Sequence, residues 1–280
     1  MKWRNCMREL GKEDLIGNKQ LRHKVIALSK GITCGTPYPA SIITGIQEGR
    51  IFIDDIYEPQ AIIIWHYCGL SYVSGETTDQ EFIESLKQMV RGVFEKNQRN
   101  IRMIVSNKES HWIEKLDLLC VEYPQITKQI RCSFRFNLER YKEFTHELPE
   151  GFSYFVIQKE HLSDIKGRII PSFSWRNMDD FLTYGRGYGI YDNNHHCIVS
   201  TAFSSGIGDG KIDIGIETQP EYRNMGMASL VAHKMAEYVL EQGLLPDWGC
   251  ASTNLGSAAT ARRIGFDRST DYPFYQIRID

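Results

Sequence analysis

The chain is 280 residues long and 42% hydrophobic, enough for one large domain or two of ordinary size, each with a real core. Its 33 basic and 35 acidic side chains leave a formal net charge of −2, and no Lys/Arg block tracks a phosphate backbone, so nucleic acid is not an expected partner. The longest aliphatic or aromatic run, 61–65, is far short of the ~20 residues that span a bilayer, and the N-terminus lacks the apolar stretch of a signal peptide; a cytoplasmic protein with no membrane partner is expected.

In chain order, Leu21, Val25 and Leu28 predict a helix within residues 12–30, ended by Gly31. Thr36-Pro37-Tyr38-Pro39 reads as a turn before a second helix at 39–47. The β-branched and aromatic runs 51–57 and 61–67 read as a hairpin, with 70–74 a third strand. Thr78 and Glu81 form a capping box ahead of a helix whose stripe is Phe82, Leu86, Met89, Val90, Val93 and Phe94. A short strand at 101–105 follows. Ser106 and Glu109 repeat the cap signal before a helix with Trp112, Leu116 and Leu119 on one face, and Ile130, Cys132, Phe134 and Phe136 alternate with polar residues as a strand. The polar stretch 139–149 is the expected boundary between an N-terminal domain at 1–140 and a C-terminal domain at 150–280.

The second half repeats the succession: a strand at 151–157, helices at 159–173 and 177–184, and a hairpin of 189–192 with 197–204 across Asn193-Asn194. Then Ile212, Ile214 and Ile216 alternate with Asp213, Gly215 and Glu217 in a strand, Lys211 to Thr218, ended by Pro220. After Gly226 the apolar residues Met227, Val231, Met235, Tyr238 and Val239 line one side of an amphipathic helix, stopped by Gly243. A strand at 247–251 and a short helix before Gly265-Phe266 complete the series. Seven widely spaced cysteines without a Cys-x-x-Cys argue for reduced thiols and against a disulfide framework or a zinc site, and no metal is expected.

A helix starting from a turn that contains Gly226 leaves its first N–H groups without intrahelical partners and carries a partial positive charge, which suits a diphosphate. Arg223-x-x-Gly226-x-Ala228, with the strand before it and Asn254 and Ser257 after it, resembles the acyl-CoA-binding core of the GNAT superfamily of N-acetyltransferases. The resemblance implies an α/β (α+β type) fold: a mixed, mostly antiparallel sheet with helices on both faces, here in two similar domains in tandem. Only the C-terminal copy would keep the cofactor site, because Gly75-Glu76-Thr77-Thr78-Asp79-Gln80-Glu81 puts carboxylates at the matching junction of the first.

The same resemblance implies acetyl-CoA as co-substrate. Its diphosphate would be held by main-chain N–H groups from Asn224 through Met225, Gly226, Met227 and Ala228 to Ser229, with Arg223 turned into the loop. Main-chain groups of Ile216, Glu217 and Thr218 would pair with the pantetheine, and one N–H there would face the thioester carbonyl. Gly215 either marks a bulge that opens the strands or relieves crowding. Asn254 and Ser257 would touch the cofactor, or Asn254 would simply cap its helix. The place that in the superfamily often carries a tyrosine general acid is Ala261, which leaves that role vacant, filled by Tyr272 or Tyr275, or unnecessary. Glu217 and Asp213 are candidate general bases, with Glu217 nearer the inferred thioester, unless both are simply solvated residues of the strand face. His195 and His196 read as an exposed turn pair, and Trp175, Tyr184, Tyr188 and Tyr191 as pocket or core. The expected activity is acetyl transfer to the amine of a small molecule, sooner than of a protein. A CoA-binding or interaction protein without turnover is the alternative, and a homodimer through the N-terminal half is compatible with either.

Overall fold

The computed structural model describes residues 7–76, 80–95, 101–105 and 111–277, which form two compact units. The first comprises residues 1–131 and 271–280, and the second 132–270. The division between Arg131 and Cys132 differs from the expected 139–149, because that polar stretch belongs wholly to the second unit. The final ten residues return to the first.

The first unit runs β1 (Arg8–Leu10), α1 (Lys12–Gly17), α2 (Lys19–Ser29), α3 (Pro37–Thr44), β2 (Gly49–Ile53), β3 (Ala61–His66), β4 (Leu70–Gly75), α4 (Gln80–Glu95), β5 (Ile101–Ile104), α5 (His111–Glu122) and β6 (Ile126–Phe136). The helix expected across 12–30 is two, since Asn18 ends α1 and caps α2 by accepting from the Leu21 N–H at 2.9 Å. Strands β2, β3 and β4 form an antiparallel meander, and β4 then pairs parallel with β5, Leu70 to Tyr72 against Arg102 to Ile104. Ile63, Val73 and Met103 meet Phe82, Leu86, Trp112 and Leu116 of α4 and α5 in one core. The Thr78–Glu81 and Ser106–Glu109 cap signals, and residues 77–79 of the acidic junction, lie outside the described residues.

The second unit takes up β6 from Cys132 onward, then α6 (Leu138–Lys142), β7 (Phe152–Val156), α7 (Pro171–Ser174), α8 (Met178–Tyr184), β8 (Gly187–Asp192), β9 (Cys197–Gly208), β10 (Lys211–Thr218), α9 (Met227–Glu241), β11 (Leu245–Ala251), α10 (Leu255–Arg263) and the start of β12 (Phe266–Ile277). Its sheet order is β12-β6-β11-β10-β9-β8-β7. Antiparallel pairs join β7 through β10, and β10 pairs parallel with β11. The helix expected at 159–173 is largely absent: one 3-10 turn at Lys159–His161 gives way to an irregular strap, where Gly167 sits at φ +127°, before Pro171 opens α7.

One face of this sheet packs α9 and α10 in a core that includes Ile212, Ile214, Val231, Met235 and Trp248. The other carries Trp175, whose Nε1 donates to the Ser204 carbonyl at 2.7 Å, and Phe181 edge-on to Phe203. Among the described residues six cysteines are free thiols.

Candidate functional site

Strands β10 and β11 are paired only from Lys211 to Asp213, against Leu245 to Asp247. Beyond Asp213, β10 continues to Thr218 with β9 alone at its side, so a fork opens between β10 and β11 toward their C-terminal ends. The register shift that accompanies the opening lies between Asp213 and Ile214, across from Ser205. It is not at Gly215, where a Cβ would sit 2.7 Å from the Phe203 ring; of the two expectations for this glycine, relief of crowding holds.

Main-chain direction along the fork follows from two bonds. The Gln219 N–H donates to Val199 O at 2.9 Å, and the Ser200 hydroxyl donates to the Glu217 carbonyl at 3.2 Å, so residues 217 and 219 turn toward β9. By alternation, Ile214, Ile216 and Thr218 turn toward the fork. Ile216 and Thr218 therefore keep the expected orientation and the main chain of Glu217 does not. The Thr218 carbonyl accepts from Arg223 Nε at 3.3 Å and its hydroxyl meets that of Ser200 at 2.7 Å.

The loop into α9 turns sharply at two left-handed residues, Asn224 (φ 63°) and Gly226 (φ 84°). Around Gly226 nothing lies within 4 Å of where a Cβ would be. Gly226 is the N-cap without a side-chain cap, and none of the N–H groups from Asn224 to Ala228 has a partner among the described residues. Ser229 departs from expectation: its N–H donates to Gly226 O at 3.0 Å and the residue is buried. Met225 is exposed, Met227 is buried in the core, and Arg223 is exposed with its guanidinium 3.6 Å from Glu217 Oε1.

The carboxylate of Glu217 is engaged on both oxygens. Oε2 accepts the N–H groups of Arg168 and Ile169 at 3.1 and 2.9 Å, and Oε1 faces Arg223. Glu217, expected as a proton acceptor beside a thioester, thus has partners on both carboxylate oxygens. Asp213 is buried, and alternation puts it on the same sheet face as Glu217 but at the closed end of the fork.

Asn254 is the N-cap of α10: its Oδ1 accepts the Ser257 N–H at 3.1 Å, leaving the side-chain N–H groups exposed. The Ser257 hydroxyl accepts Trp248 Nε1 at 3.1 Å. Ala261, on α10, is fully buried and faces the core. Tyr272 and Tyr275 are buried in the first unit, where the Tyr275 hydroxyl donates to Asp117 at 2.8 Å. Trp175 and Tyr188 pack on opposite faces of the sheet, Tyr188 against the α9 core, while Tyr184 is exposed.

Sequence reading missed one cluster. Buried Asp192, at the end of β8, accepts the N–H groups of Asn194 and His195, His195 Nδ1 at 2.8 Å and the Tyr222 hydroxyl at 2.9 Å. The His195 bond, then these others, hold the Asp192 carboxyl well below the ordinary range. Cys197, burial and Asp192 push the Tyr222 phenol upward. The only signal was an Asp three residues ahead of a His; Tyr222 arrives from 30 residues away. The cluster anchors the chain just before Arg223.

Residues 33–275 match the family model described as GNAT acetyltransferase. A Bacillus subtilis (strain 168) protein named as the uncharacterized N-acetyltransferase YdfB is 24% identical over 239 residues, 84% of this chain and 88% of that protein. A solved GCN5-related N-acetyltransferase-like protein from Streptococcus suis 89/1591 is similar with a TM-score of 0.73 and 21% identity, over 93% of this chain and 99% of its own. A tandem GNAT protein from the clavulanic acid biosynthesis pathway is similar with a TM-score of 0.63 and 10% identity, over 96% and 98%. Among the described residues no helix is long and apolar enough to cross a membrane, and no group of three or more His, Cys, Asp or Glu could hold a metal ion.

Proposed function

The chain belongs to the GNAT acetyltransferase family and is an N-acetyltransferase, and from that premise we propose that it moves an acetyl group from acetyl-CoA to the primary amine of a small molecule by direct attack. The observation that carries the cofactor reading is the fork of β10 and β11 beside a helix start with five unpartnered N–H groups and an unobstructed Gly226. The residues fit the cofactor: N–H groups of 224–228 for the diphosphate, Arg223 beside them, main-chain groups of Ile216 and Thr218 for the pantetheine amides, and the exposed Asn254 amide at the far edge. Acetyl-CoA supplies an activated acyl carbonyl and a thiolate that leaves without help from an acid, consistent with an alanine at position 261.

The chain's own task is then to bind, orient and deprotonate. The Ile216 N–H is the donor presented to the fork for a carbonyl oxygen, a contribution of about 3 kcal/mol by comparison with other acyl transfers. Asp213, at the closed end of the fork, is the carboxylate we assign to collect the proton of the attacking ammonium, directly or through water. Calorimetric titration with acetyl-CoA, followed by thiol release across a panel of small amines, tests this. Binding of one equivalent and release with at least one amine supports the assignment; binding without release from any amine favours the non-catalytic alternative; no binding refutes the cofactor site.

A further inference from the structure

The strap at 165–170 crosses the sheet face opposite α9. It forms one wall of a groove, through Ile165 and Lys166, whose other wall is Ser200, Thr201, Glu217 and Gln219 of β9, β10 and the turn that follows. Among the described residues, the side chain of Glu217 hydrogen-bonds it to the strand. Gly167 adopts φ +127° so closely over Glu217 that a Cβ would stand 2.3 Å from Glu217 Cγ, and the next two N–H groups converge on Glu217 Oε2. Consecutive amides converging on one point make a cradle for an anion, and here the chain supplies its own. The second oxygen of the same carboxylate faces Arg223, the first residue of the loop assigned to the diphosphate.

We infer that Glu217 is a positioning residue, not the proton acceptor: it holds the strap closed over the groove and links that closure, through Arg223, to occupancy of the diphosphate loop. The inference deepens the proposed function and rests on it for the location of the cofactor. At 3.6 Å the Glu217–Arg223 contact is longer than a hydrogen bond and more than half exposed on the arginine side, so it is readily exchanged for a diphosphate. A carboxylate relieved of the arginine concentrates its charge on the two amides, and charge-assisted bonds of this kind strengthen accordingly. Binding of the cofactor therefore tightens the strap over the groove.

The glutamine substitution separates this from general-base catalysis. Glu217→Gln keeps a carbonyl oxygen for the two amides and loses the ability to take a proton; Glu217→Ala loses both. Hydrogen exchange on the full-length protein, without cofactor, should show the Arg168 and Ile169 amides exchanging at least tenfold faster in the alanine variant and within about threefold of the parent in the glutamine variant. Coenzyme A should slow exchange of these amides in the parent and leave it unchanged in Arg223→Ala. In turnover with an amine from the panel, Glu217→Gln should keep kcat within a few-fold, whereas loss of a general base would lower it a hundredfold or more. Equal strap exchange in parent and alanine variant overturns the inference, as does a loss of a hundredfold or more in kcat for Glu217→Gln with the strap still protected. Failure of coenzyme A to bind the parent defeats the cofactor assignment and with it the link through Arg223, while the comparison without cofactor still decides whether Glu217 closes the strap. Thermal melts identify any variant that fails to fold, in which case the glutamine and Arg223→Ala arms decide.

Discussion

The two units contain the same junction built to opposite ends. In each, a three-stranded meander delivers a strand that pairs parallel with the next for three residues, β4 with β5 and β10 with β11. In the second unit the strands then part and the following helix begins Leu255-Gly256-Ser257, with Gly256 presenting no side chain. In the first, α5 begins His111-Trp112, and Trp112 is fully buried with its Nε1 donating to the carbonyl of Gly75, the last residue of β4, at 2.8 Å. One indole occupies the space beside the strand end and satisfies its main chain. The lesson is that a fork between parallel strands is a packing defect, and one large side chain turns it into core.

The largest effect should come from removing that plug. Trp112→Ala deletes a fully buried indole edge-on to Phe82 at 6.0 Å, at a cost of about 3–5 kcal/mol to the first unit in denaturant unfolding. It should not create an acetyl-CoA site in the first unit, because the acidic residue Glu76 remains at that junction. Calorimetry on the variant should still return one equivalent of acetyl-CoA per chain, and two would mean that the indole alone separates the forks.

Next in size is the open fork itself. Gly226→Val forces a β-branched residue to φ 84° and places methyl groups among the free N–H groups. Affinity for acetyl-CoA should fall by a hundredfold or more, while circular dichroism keeps the native spectrum and Tm drops by only a few degrees. An unchanged affinity would move the diphosphate elsewhere.

Acid should distinguish the units as well. His66, on β3, is completely buried, and burial drives its pKa from 6.5 down to about 3. Unfolded, it takes up a proton near 6.5; folded, it resists until about 3. Its neutral form therefore supports the first unit fully above pH 6.5, and that support is lost as pH falls toward 3, at about 1.4 kcal/mol per pH unit. In the second unit the strongest acid response is that of Asp192, whose lowered pKa withdraws support only below the ordinary carboxylate range. The half-buried His233 adds a smaller contribution with the sign of His66. Exchange measured from pH 7 to 4 should loosen β3 before β8, and His66→Phe should flatten the difference.

How much of this the sequence discloses depends on whether the cause is local. β10, α9 and the loop between them are legible because alternation, the 3.6-residue stripe and Gly226 act within a few positions of one another. The strap is not: Leu162, Ile165, Ile169 and Ile170 carry helix-like spacing, and it is Gly167, set at φ +127° over a carboxylate 50 residues later, that breaks it. Trp112 shows only the i, i+4 stripe it shares with Leu116, with no sign that its nitrogen reaches Gly75. Glu217 looks identical in sequence whether it serves as base or fastener, since the deciding partners are main-chain groups. The division between the units is illegible for a related reason: Ile130 to Phe136 reads as one strand, and the change of unit after Arg131 falls inside it.

The smallest effect is also the most discriminating. Asn254 caps α10 through its oxygen, and its amide N–H groups point outward; the first role is structural and the second is the one assigned to the cofactor. Asn254→Asp preserves a good cap, so Tm should hold, but it replaces a donor by a negative charge near a polyanion, and affinity for acetyl-CoA should fall several-fold, more at low salt than at high. Asn254→Ala should cost about 1 kcal/mol of stability through the lost cap and weaken binding less than the aspartate does, since it removes the donor without adding repulsion. If both variants bind acetyl-CoA as the parent does and differ only in melting, Asn254 serves α10 alone, and the recognition that sets the second fork apart from the first is confined to the loop around Gly226.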